Sequence, residues 1–226
     1  GTIGIAGVFN PTATFSTGNY VVTNNTVDFN GAVAQTIAAF NYNNLTSSNT
    51  GARTLANSGT IGIAGVFTLG SNVYTVTGST VNFNGTGAQT IPVFNYHNLS
   101  SSSTGARTLP NTGTIGIAGA FAPGSNAYTI TGSTINFNGS GAQTIPAFNY
   151  NNLTISGARG ANSVTLANGG TVAVAGIFNP IATFAGGNYV IANNTVNFNG
   201  SGAQTIPAFN YFNLTSSNTG SRTLAN

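Results

Sequence analysis

The chain repeats itself four times, and this restricts its fold more than any other feature. Gly1–Ser58 opens with GTIGIAGVF, Gly59–Thr112 opens with the same nine residues, Gly113–Gly169 opens with GTIGIAGAF, and residues 170–226 open with GTVAVAGIF. Each unit continues through V/I-x-F-N-G, an A-Q-T-I, an F-N-Y-x-N-L and a closing T-L. The units are nearly equal in length, and their differences are local. Units one and four carry extra residues around Asn10–Phe15 and Asn179–Phe184, and unit three between Leu153 and Leu166. Such insertions belong in surface loops.

A finer echo runs inside each unit. Gly87-Ala88-Gln89-Thr90-Ile91 returns as Gly105-Ala106-Arg107-Thr108-Leu109, then as Ala127-Tyr128-Thr129-Ile130, and again as Ala142-Gln143-Thr144-Ile145. The last of these steps is the shortest. Together they predict three coils of about 18 residues per unit and about twelve coils in all. The local period is two. Val27/Phe29, Val81/Phe83, Ile135/Phe137 and Val196/Phe198 each share a strand face, and β-branched and aromatic residues fill these runs. Asn-Gly marks a turn after each, and 31 glycines speak against helix. A sandwich of antiparallel strands also has short, evenly spaced strands, but it has no reason to repeat its sequence every coil. The prediction is therefore an all-β parallel β-helix (β-solenoid), a single domain over residues 1–226 of four tandem three-coil units.

The stretches Thr80–Ser100 (TVNFNGTGAQTIPVFNYHNLS) and Gly59–Phe67 (GTIGIAGVF) recur along the whole chain. In alternation and loop style they resemble the right-handed parallel β-helix repeats of large bacterial extracellular proteins, such as filamentous-haemagglutinin-like adhesins. The resemblance implies a right-handed solenoid, an extracellular or cell-surface location in a bacterium, and an adhesive or architectural role.

Charge excludes several functions. Four arginines (Arg53, Arg107, Arg159, Arg222), one acid (Asp28) and one histidine (His97) stand against the roughly 25% charged residues of an ordinary domain. Isolated arginines do not make a phosphate-tracking patch, so no nucleic-acid partner is expected. One acid rules out a carboxylate pair. Asp28 and His97 fall three or four coils apart, which leaves no Ser-His-Asp constellation. The chain is read as not an enzyme, with no cofactor or metal. No apolar run is long enough to cross a bilayer, so no membrane span is expected. Asp28 and His97 are read as ordinary exposed positions.

Three residue sets are candidates for a role. The column Gln89, Arg107, Tyr128, Gln143, with equivalents Gln35, Arg53, Gln204 and Arg222, is expected to stack along one edge. It would be either an exposed stripe gripping a glycan or fibre or, the favoured reading, a structural ladder of hydrogen bonds and cation–π contacts. A buried arginine is not expected, since a single carboxylate cannot pair with four. The pairs Phe40/Tyr42, Phe94/Tyr96, Phe148/Tyr150 and Phe209/Tyr211 are assigned to a core aromatic ladder. Nine N-x-S/T sequons, at Asn24, Asn44, Asn84, Asn98, Asn138, Asn152, Asn193, Asn199 and Asn213, are candidates for N-glycosylation or for stacked amide ladders.

The tail Arg222-Thr223-Leu224-Ala225-Asn226 stops one residue short of where a new GTIGIAG would begin, so head-to-tail continuation is expected, within a longer array or between subunits. The expected function is a structural subunit or segment of an extracellular filament or surface stalk, its partner being itself. A glycan-binding module using exposed aromatics such as Phe212 is the alternative. An ice-binding solenoid with a flat threonine array comes third.

Overall fold

A computed structural model describes residues 1–225. The chain is an all-β parallel β-solenoid of about 11 turns, with no helix among the described residues. It divides into two compact units. The first comprises Gly1–Pro92, His97–Thr108 and Gly124–Tyr128; the second comprises Val93–Tyr96, Leu109–Pro123 and the chain from Thr129 onward.

In the first unit the chain makes three short strands per turn. Thr26–Phe29, Gln35–Ile37 and Asn41–Tyr42 are followed by Asn44–Ser47, which lies in parallel register on Thr26–Phe29. Arg53–Leu55 then pairs with Gln35–Ile37, and Thr60–Ile63 with Asn41–Tyr42. The period-two pattern sets the inside and outside. Val27 and Phe29 point in while Thr26 and Asp28 point out, and the register places Val27 between Ile3 and Leu45. Stacked identical alternation buries one continuous apolar column per face.

The repeat is not a whole number of turns. Eight strands, from Thr26–Phe29 to Tyr74–Thr75, pass before the next V-x-F strand, Thr80–Phe83. At three strands per turn, eight strands are two and two-thirds turns. Thr80–Phe83 consequently pairs with Thr60–Ile63, in the sheet begun by Asn41–Tyr42, and not in the sheet of its sequence equivalent Thr26–Phe29. The second unit behaves alike: Thr134–Phe137 and Thr195–Phe198 lie in different sheets. This accounts for about 11 turns where the echo predicts twelve. Between Tyr74 and Gln89 the chain passes only one further strand, Thr80–Phe83, so that short step is two-thirds of a turn; Gln89 begins a new sheet.

Turn length varies because loops outside the stack absorb residues. Thr26 stacks on Asn44, Thr60 on Thr80 and Leu153 on Phe178, so the last turn, across the insertion of unit three, is the longest of these.

The shift also decides the fate of the aromatic pairs. Phe and Tyr of each F-N-Y stack edge to face, with ring centroids 5.1, 4.9, 5.0 and 5.2 Å apart for Phe40/Tyr42, Phe94/Tyr96, Phe148/Tyr150 and Phe209/Tyr211. Tyr42, Tyr96 and Tyr150 are fully buried, whereas their Phe partners are half-buried. Along the stack Tyr42 meets Ile63, Tyr96 meets Ile117 and Tyr150 meets Val174. Along the parallel register these tyrosines are thus seated on aliphatic neighbours, while their Phe partners also meet other rings, as Phe40 meets Phe9 and Phe209 meets Phe178.

Candidate functional site: corner clamps, open edges and twin clefts

Glutamine and arginine columns lie where the chain turns from one face to the next. Gln35 is in register with Arg53, and Arg53 with Tyr74. Gln89 is in register with Arg107, whose N–H donates to Ala127 O at 2.8 Å, bringing Tyr128 next. Gln204 is in register with Arg222. Gln143 heads its own column with Val164 and Tyr189.

These side chains face inward, which corrects the expectation that no arginine is buried. Arg53 and Arg107 are 0% exposed and Arg159 is 1% exposed. The physical reason is that backbone carbonyls replace carboxylates as acceptors. Arg107 Nη2 donates to Phe83 O (2.8 Å), Gly85 O (3.1 Å) and Ser102 O (2.6 Å), while Nη1 donates to Gly105 O (2.6 Å) and Ala106 O (3.2 Å). Arg53 repeats the set on Phe29, Gly31, Ser48, Gly51 and Ala52. The planar fork suits this task, since it serves two chain corners at once.

Each glutamine closes the corner below. Gln89 Nε2 donates to Ile63 O (2.8 Å) and Gly65 O (2.7 Å), and its Oε1 accepts from Gly85 N–H (2.9 Å). Gln35, Gln143 and Gln204 make the same three bonds. The sequence held the signal: Gln35 and Ile37, like Arg53 and Leu55, share the same strand face, so a buried Ile or Leu implies a buried partner two residues earlier. Desolvation lowers the pKa of Arg107 and Arg159, partly offset by Tyr128 and Tyr189 beside them. Burial raises Tyr74 and Tyr128, opposed by hydrogen bonds with Ser47 and Ser101 and by the arginines Arg53 and Arg107.

Asp28 Oδ2 accepts from Ser48 Oγ at 2.8 Å, and Asp28 and His97 are both half-buried. The sequons divide by environment. Asn44 and Asn152 Oδ1 accept the N–H of Val66 and Ile177, each at 2.9 Å, and their Nδ2 groups donate to Thr26 and Thr134, so both amides are part of the axial bonding. Asn98 Nδ2 reaches Gly78 O at 3.5 Å. Asn84 and Asn199 are half-buried, while Asn24, Asn138, Asn193 and Asn213 are exposed. Asn24 and Asn193 each sit at φ 59° in a turn.

The outermost strands leave core positions open. Ile3 on Thr2–Ile5 is 51% exposed, whereas its equivalents Ile61 and Ile115 are 0% exposed. In the second unit Leu214 is 42% and Leu224 69% exposed, against 0% for Leu45, Leu55, Leu99, Leu153 and Leu166 at matching repeat positions. Thr2–Ile5, Asn213–Ser216 and Arg222–Leu224 each stand last in their sheets.

The loops of units one and four build the same cleft. In the first unit it is lined by Pro11, Asn19, Tyr20, Val22, Phe40 and Asn41, and in the second by the matching Pro180, Asn188, Tyr189, Ile191, Phe209 and Asn210. Tyr20 stacks edge to face on Phe15 and Phe40, both at 5.1 Å, and Tyr189 on Phe184 and Phe209 at 5.0 and 4.9 Å. Ala13 N–H points at Tyr20 Oη (3.4 Å) and Ala182 N–H at Tyr189 Oη (3.2 Å). No lining residue of either cleft is charged.

Among the described residues no three His, Cys, Asp or Glu side chains come together, and no helix is long and apolar enough to cross a membrane. No protein-family model matches the chain, and neither a curated protein nor a solved structure is found similar to it. The fold defines the class, a parallel β-solenoid built from tandem repeats.

Proposed function

We propose that the chain is a structural segment of an extracellular filament or cell-surface stalk, whose open solenoid edges are covered by further β-solenoid turns. The observation that carries this reading is the exposure of Ile3, Leu214 and Leu224 where interior equivalents are sealed. Covering the part of each such side chain still exposed is worth about 1–2 kcal/mol, roughly half of full burial, and an uncovered strand also offers its free N–H and C=O groups to a parallel neighbour. The polypeptide of residues 1–226, purified alone, is expected to associate edge to edge, and sedimentation velocity will show mass rising with concentration. Ile3→Lys and Leu224→Lys, placing a charge on either edge, will each suppress the association. A polypeptide that stays monomeric at high concentration sinks the proposal.

The twin clefts favour a second role for the same molecule, binding of neutral glycans. An aromatic floor flanked by two carboxamides and free of charge suits a sugar ring, which offers C–H groups on its face and hydroxyls at its rim. Neutral oligosaccharides on an array will be retained by the wild type and lost when Tyr20 and Tyr189 are both replaced by alanine. Retention unchanged in that double variant would dismiss the clefts.

A further inference from the structure

Asn-Gly occupies the same corner in every repeat, at Asn30-Gly31, Asn84-Gly85, Asn138-Gly139 and Asn199-Gly200. This dipeptide is chemically reactive. The deprotonated backbone nitrogen of the glycine can attack Cγ of the asparagine. A new C–N bond forms, the Cγ–Nδ2 bond breaks and ammonia leaves with the proton. Water then opens the cyclic imide at either carbonyl, giving aspartate or isoaspartate. The first step needs a glycine nitrogen free to lose its proton and rotate, and a carboxamide reachable by solvent.

Three of the four corners withhold both. Gly31, Gly85 and Gly200 N–H donate to the Oε1 of their own glutamine clamp at 2.8, 2.9 and 2.8 Å. The Oδ1 atoms of Asn30, Asn84 and Asn199 are sealed from solvent. The third corner differs. Gly139 N–H to Gln143 Oε1 is 3.2 Å, because that Oε1 also accepts a bond from Arg159 Nη1. The cause lies in the sequence. Elsewhere the arginine directly precedes the strand threonine, as in Arg53-Thr54, and faces glutamine across the ladder. In unit three Gly160–Val164 intervene, Val164 takes the register place opposite Gln143, and Arg159 reaches in from the loop to share the glutamine oxygen. Asn138 is also the exposed member of the four.

We propose that Asn138-Gly139 is a site of spontaneous deamidation, while its three repeat equivalents are protected by the fold. The sequence supplies its own control, since Phe137–Phe148 and Phe198–Phe209 are identical, FNGSGAQTIPAF. Any difference in rate between Asn138 and Asn199 in the folded protein therefore comes from structure.

The test uses the full chain made in a host without N-glycosylation, held at mildly alkaline pH and sampled over days. Trypsin, cutting after Arg53, Arg107, Arg159 and Arg222, places each corner in a separate peptide. Fragmentation separates Asn199 from Asn168-Gly169, an exposed turn in the same peptide. In folded protein, aspartate and isoaspartate are expected at Asn138 about three- to tenfold faster than at Asn199, the range a weakened hydrogen bond supports. In urea the two rates are expected to converge. Equal rates in the folded chain would overturn the proposal, and so would a difference that persists in urea.

Discussion

At Arg107 a cation with no carboxylate beside it is held by the chain itself, through hydrogen bonds to Phe83, Gly85, Ser102, Gly105 and Ala106 carbonyls. Removing the guanidinium would take the donor from Gly85 O and Ser102 O, whereas Phe83, Ala106 and Gly105 O keep Ser102 N–H, Gln89 N–H and Asn126 Nδ2; a buried acceptor left without its donor costs more than the net worth of the bond. Arg107→Leu is therefore expected to lower unfolding free energy by about 2 kcal/mol or more, seen as a lower urea midpoint. Arg107→Lys will recover only part of it, because a point donor cannot span two corners. The tyrosines set the pH response. Burial pushes Tyr211 up to about 12, and Tyr42, Tyr96 and Tyr150 are raised further still. Above the ordinary tyrosine value of 10.0 the unfolded chain loses phenol protons that the folded chain keeps. The unfolded state then binds fewer protons, and stability falls as pH rises. Tyrosine ionisation thus contributes nothing below pH ~10 and costs stability progressively as pH rises above that value, an onset a pH series of urea melts will show. The inward glutamines and arginines were readable from the period-two phase of Gln-Thr-Ile and Arg-Thr-Leu. Their acceptors were not, because backbone carbonyls of another turn leave no mark in composition.

Elements in this molecule are defined by their stacking partners. The V-x-F strands, the Asn-Gly corners and the in-out alternation followed directly from Val27/Phe29 and their repeats. The face each strand joins did not. A repeat of eight strands on a three-strand turn moves every equivalent strand to a different sheet, and the short echo from Tyr128 to Gln143 gave no hint that it covered only two faces. Glycines at the corners provide a direct test of stacking. A Cβ on Gly105 would lie 2.0 Å from Gly87 O of the adjacent turn, whereas one on Gly87 meets nothing within 4 Å. Gly105→Ala must push two turns apart, and is expected to destabilise by about 2 kcal/mol or more. Gly87→Ala, at a conformation alanine can adopt, is expected to be neutral or to stabilise by up to about 1 kcal/mol through the unfolded chain. Thermal melts of the two variants side by side would decide it, and equal effects would argue against close contact of turns at this corner.

For the molecule as a whole, burying arginine removes charge from a surface that had little. Arg53, Arg107 and Arg159 are enclosed, leaving Arg222 partly exposed and Asp28 and His97 half-buried. Ordinary proteins resist association through surface charge; here the outward positions are mostly threonine, asparagine, serine, alanine and glycine. If the edges exposing Ile3 and Leu224 are covered by further turns, as proposed, the contact is made of backbone hydrogen bonds and apolar burial, with no ion pair to screen. Association of the purified chain is then expected to change little as sodium chloride rises, since screening acts on charges, and to strengthen in ammonium sulfate, which favours burial of surface. Light scattering across both salt series separates this from the other physical possibility. Assemblies that dissolve as sodium chloride increases would have to be held by charge, and the few charges left outside would then have to be the glue, against everything the buried arginines imply.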